Sequence, residues 1–81
     1  KAPRLLTGTL VREINAKAHD YPIRLKSREG RLIAYVDFSK IYINDLAPYL
    51  EQKVYLRGQI YPLPDSHGQL VIQAESLRLA D

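Results

Sequence analysis

Cysteine, methionine and tryptophan are absent from this 81-residue chain, and glycine occurs only four times. Without cysteine there is no disulfide framework and no thiolate to serve as nucleophile or metal ligand. Stability must come from packing, in a domain small enough to hide only about 60–65% of the surface its unfolded chain exposes. No apolar run approaches the roughly 20 residues that a membrane-spanning helix requires, and no signal peptide is visible. No glycine-rich loop suited to cradling phosphate appears, and no two carboxylates fall on one face of an element. A chain that starts at Lys1 and contains no methionine is expected to be a single domain, residues 1–81, excised from a longer protein.

What is present is ordinary globular composition, 46% hydrophobic and 26% charged. The net charge is +3, distributed unevenly. Residues 1–31 carry eight basic side chains against three acidic ones, and residues 32–81 carry four against six. Such a gradient suits either well-solvated early strands or a face that attracts polyanions.

The hydrophobic pattern is mostly of period two, the mark of half-buried strands. Residues 4–14 read as a first strand, broken by the polar stretch 15–20. Residues 21–27 alternate, with Tyr21, Ile23 and Leu25 on one face and Pro22, Arg24 and Lys26 on the other. A turn at Arg28-Glu29-Gly30, whose glycine tolerates positive φ, leads into a strand over 31–39. There Leu32, Ala34, Val36 and Phe38 are expected inside, and Arg31, Ile33, Tyr35 and Asp37 outside. Residues 45–52 read as a short helix capped by Asp45, which leaves Pro48 at the third helical position, where no N–H is needed. Its Leu46, Tyr49 and Leu50 share a face. Residues 53–61 alternate again, with Val54, Leu56, Gly58 and Ile60 inward and Tyr55, Arg57, Gln59 and Tyr61 outward. A proline-rich hairpin loop, 62–68, precedes a last strand, 69–79, with a bulge near Glu75-Ser76.

The order β-β-β-α-β-β, with glycine in mid-strand at Leu6-Thr7-Gly8-Thr9-Leu10 and at Leu56-Arg57-Gly58-Gln59-Ile60, resembles the OB-fold. The segment Gly30-Arg31-Leu32-Ile33-Ala34-Tyr35-Val36 looks like its turn and third strand. That resemblance, over nearly the whole chain, implies a mainly β, five-stranded Greek-key barrel with one short helix between strands 3 and 4. An SH3-like barrel of similar length is the rival, and usually carries only a 3₁₀ turn where this chain offers residues 45–52.

The resemblance also implies a ligand face on the second and third strands, flanked by two loops. Carried over, it gives Arg24, Lys26, Ile33 and Tyr35, with Lys17 and His19 from one loop, Asp65 and His67 from the other, and Tyr61 at the cleft mouth. Arg57 adds a further base. Tyrosine for stacking and bases for phosphates are the parts that single-stranded nucleic acid requires. The competing reading has Tyr35 and Ile33 packed beneath a loop or a neighbouring domain, in a protein-interaction or adaptor module. Tyr42, Tyr49 and Tyr55 are expected to be half-buried barrel aromatics with hydrated hydroxyls. His19-Asp20 and Asp65-Ser66-His67 lack the spacing of a metal site, and adjacent Ser66 and His67 do not make a triad. No catalysis, cofactor or metal is expected, and the partner is single-stranded nucleic acid or a protein.

Overall fold

The computed structural model describes residues 2–13 and 21–80. Five strands, β1 (Arg4–Arg12), β2 (Ile23–Lys26), β3 (Leu32–Asp37), β4 (Lys53–Pro62) and β5 (Leu70–Leu79), form a mainly β chain. They close into a barrel in the order β1-β2-β3-β5-β4. All neighbouring pairs are antiparallel except β3 with β5, which run parallel. Read around the ring, β4-β1-β2-β3 is the Greek-key order. No helix among the described residues is long and apolar enough to cross a membrane.

Alternation along the strands fills the interior. Leu10, Leu25, Ala34, Val54, Leu56, Ile72 and Ala74 are completely buried, and Ile23 and Val36 nearly so. The strand β1 serves two neighbours, pairing with β4 from Arg4 to Thr9 and with β2 from Thr9 to Arg12. The changeover demands a strand that coils tightly. A Cβ on Gly8 would lie 2.6 Å from the Lys26 carbonyl oxygen and 3.0 Å from the Ile33 Cδ1. On Gly58 a Cβ would overlap the carbonyl oxygen of Gln73. Directly beside it, β5 carries an extra residue: Arg57 faces Ser76 but Gly58 faces Ala74, so Glu75 is the bulge expected from the sequence.

Two expectations are corrected. The helix over 45–52 is a single 3₁₀ turn, Ala47–Tyr49. The Asp45 carboxylate does accept the Ala47 N–H, at 3.1 Å. Helix growth then stops because Glu51 takes a left-handed φ of 62°. Its N–H donates to the Leu10 carbonyl at 2.7 Å, and the Leu10 N–H donates to the Gln52 carbonyl at 3.1 Å. Those ties to β1 outweigh a helix too short to persist alone.

The second correction concerns β3. Leu25 faces Ala34, but Lys26 faces Leu32, which leaves Ile33 as an extra residue in the ladder. A one-residue insertion reverses the faces on either side of it. Ile33, expected outside, packs against the main core, whereas Leu32, expected inside, joins an outer apolar cluster.

Candidate functional site

The strand registers place Val11, Arg24, Tyr35, Val71 and Tyr61 side by side in one row around the outside of the barrel. Tyr35 lies at its centre and is only 3% exposed. It forms a small outer core with Leu63 and Val71, against which Tyr21 and Leu32 pack. The Tyr21 ring lies 6.2 Å from it, centre to centre, tilted by 34°. Across the strand pair, the Arg24 guanidinium carbon sits 4.9 Å from the Tyr35 ring centre, a cation–π distance. The Arg24 Nε is buried and has no hydrogen-bond partner among the described residues, while the guanidinium carbon stays over the ring. The expected exposed stacking platform is therefore a covered ring.

Lys26 is also engaged. Its Nζ donates to the Glu13 carboxylate at 2.9 Å. That hydrogen bond first, and the lysine charge second, hold the Glu13 carboxyl below its ordinary range, with desolvation opposing them. Beyond the central row comes a polar one, Asp37, Gln73 and Gln59. The Asp37 Oδ1 accepts the Ser39 N–H at 2.9 Å. This bond is the main reason its carboxyl is also lowered; Gln73 and Lys40 add to it.

The remaining expected site residues scatter. Tyr61 is exposed to 48% and stands opposite Val71, at the edge of the covered cluster. Arg57 is exposed on β4, between Leu5 of β1 and Ser76 of β5, on the wall away from β2 and β3. Asp65 and His67 are exposed in the β4–β5 loop. Lys17 and His19 lie outside the described residues. Of the other tyrosines, Tyr49 and Tyr55 are half-buried as expected, whereas Tyr42 is 85% exposed, its hydroxyl donating to Asn44. Ile33, whose Cδ1 lies 3.0 Å from where a Gly8 Cβ would sit, also lines a groove of about 450 Å³. Thr7, Gly8 and Thr9 line one side of it, with Ser27, Arg28 and Lys53 around the rest.

Leu63 is the contributor that the sequence reading missed. It sits in the loop after β4, where its N–H donates to the Gln69 carbonyl at 2.8 Å. Ser66 tightens the same loop, donating to the Leu63 carbonyl at 2.6 Å and accepting the Gln69 N–H at 3.2 Å. A leucine between Pro62 and Pro64 was the available signal: an apolar side chain on a stiffened loop tends to fold back onto the barrel. Among the described residues no cluster of three metal-ligating side chains forms. In comparisons with known proteins, no family model, curated protein or solved structure matches the chain.

Proposed function

We propose that the chain is a non-catalytic binding module on an OB-type barrel, and that its ligand is a protein rather than single-stranded nucleic acid. The 3₁₀ turn removes one argument against an SH3-like barrel. Support for the OB type comes instead from the Greek-key strand order and from the two crowded mid-strand glycines.

The choice of ligand is carried by the burial of Tyr35. A base stacks on an open ring face, and this ring lies beneath Leu63, Val71 and the Arg24 guanidinium. What the same neighbourhood offers to solvent is apolar. Tyr61 (48% exposed) and Leu70 (38% exposed) flank the cluster, with Pro62 directly opposite Leu70. An aromatic and aliphatic strip backed by a packed cluster has the character of a protein contact.

The test is an NMR amide-shift titration with a short mixed single-stranded oligonucleotide, at low and at physiological salt. The expected result is no clustered shift at physiological salt. Shifts gathered on Arg24, Lys26, Ile33 and Tyr35, fading as salt rises, would overturn the reading and restore a nucleic-acid face.

A further inference from the structure

We infer that the groove beside the first half of β1 binds an extended acidic peptide, which adds to the barrel as a short strand. This inference rests on the protein-partner reading and adds to the Tyr61–Leu70 strip a second contact, lined by none of that strip's residues.

Three observations converge on the groove. The first is a ladder edge. From Arg4 to Gly8, β1 has β4 on one side, and its pairing with β2 begins only at Thr9. Among the described residues no strand pairs with the other side of Arg4–Thr7, and β2 first comes against β1 at Gly8, where the Lys26 carbonyl lies close. Thr7 therefore brings the end of a singly paired stretch of backbone to the groove wall. An edge of this kind recruits extended peptides through main-chain hydrogen bonds, while alternate side chains supply the selectivity.

The second observation is the floor. Ile33, pushed out of the β2–β3 ladder by its bulge, reaches to 3.0 Å from where a Gly8 Cβ would sit. Because Gly8 has no side chain, the Ile33 side chain can lie close against the β1 main chain beside the Lys26 carbonyl. The third is charge. Arg28, from the β2–β3 turn, and Lys53, at the start of β4, both line the groove, and no acidic side chain among the described residues does. Glu29, next to Arg28, is exposed and takes no part in the lining. A strand laid here alternates its side chains, one set onto Ile33 and the other toward the two cations. The matching ligand alternates small apolar and acidic residues.

The probe is a blocked six-residue peptide alternating valine and aspartate, titrated into the labelled 81-residue chain. Controls are the valine–lysine peptide and a single-stranded oligonucleotide. The expected result is saturable shifts at Thr7, Gly8, Ser27, Arg28, Ile33 and Lys53 with the acidic peptide alone. Amide exchange should slow between Leu5 and Gly8, as new main-chain bonds require. In the folded double variant R28E/K53E, both positions being at the groove rim, affinity should fall at least tenfold.

Absence of shifts at millimolar acidic peptide would overturn the inference, and so would equal shifts with the lysine peptide. Shifts confined to Arg28 and Lys53, with exchange unchanged from Leu5 to Gly8, would overturn strand addition. A silent groove together with a silent oligonucleotide titration would remove this site and leave the protein-partner reading standing. Oligonucleotide shifts on the β2–β3 face would remove that reading itself.

Discussion

The guanidinium carbon of Arg24 lies 4.9 Å from the centre of the Tyr35 ring, and the two residues face each other across the β2–β3 ladder. Each uses the other where a ligand would otherwise be needed. Arg24 spends its charge on a ring face, and the ring loses that face to the arginine. Tyr35 is consequently a stability residue. Replacing it by alanine should cost about 3 kcal/mol or more, the usual range for truncating a buried aromatic. Urea denaturation reads this directly; a cost below about 1 kcal/mol would mean the ring is not covered.

The glycines separate two kinds of demand. Gly58→Ala drives a Cβ into the Gln73 carbonyl, between two strands that cannot both move. It should destabilise by roughly 2–3 kcal/mol, as overpacking does. Gly30→Ala meets open space but keeps a φ of 84° in the turn, so its cost is conformational. That cost should be roughly 1–2 kcal/mol. The ranking, with Gly58 the worse, is checked by thermal melts of both variants.

The ion pair between Lys26 and Glu13 should contribute little. Both side chains remain partly open to water, at 28% and 39%. A double-mutant cycle on stability should give a coupling below about 1 kcal/mol, shrinking as salt is added. A larger, salt-insensitive coupling would contradict so open a setting.

Asp37 gives the fold an acid limb. Its carboxyl is held below the ordinary range, chiefly by the Ser39 N–H. The unfolded chain therefore binds this proton more readily than the folded one. The stabilisation is complete above the ordinary aspartate value of about 4 and is lost as pH falls through the lower folded value. Asp37→Asn keeps an acceptor for Ser39 and removes the titration. Its stability should fall less steeply than that of the parent between about pH 4 and pH 2, as measured by denaturant midpoints.

Much of this barrel was legible because local pattern and global fold agree. The alternation over 53–61 placed Val54, Leu56 and Gly58 inside, where they are buried. Glycine at positions 8 and 58 marked the crowded crossings, and the polar Glu75-Ser76 pair marked the bulge in β5. The candidate face was harder. Within Leu32-Ile33-Ala34 every residue is apolar, so no change of polarity announces a one-residue slip, and the faces of Leu32 and Ile33 came out exchanged. Exposure of Tyr35 depended on Leu63, a residue from a different hairpin. Strand periodicity reports which way a side chain points and nothing about what a distant loop lays over it.

The first strand is also the one that waits longest. Hairpins such as β4–β5 join near neighbours in the chain and form in about 1–10 μs. The seam that brings Arg4 opposite Gly58 must instead close a loop spanning most of the protein. During synthesis β1 leaves the ribosome before any of the strands it will pair with. Its Leu6 and Leu10 stay incompletely covered until β4 has been made, so the interval between those two events is when a chaperone, or a second nascent chain, has most to hold.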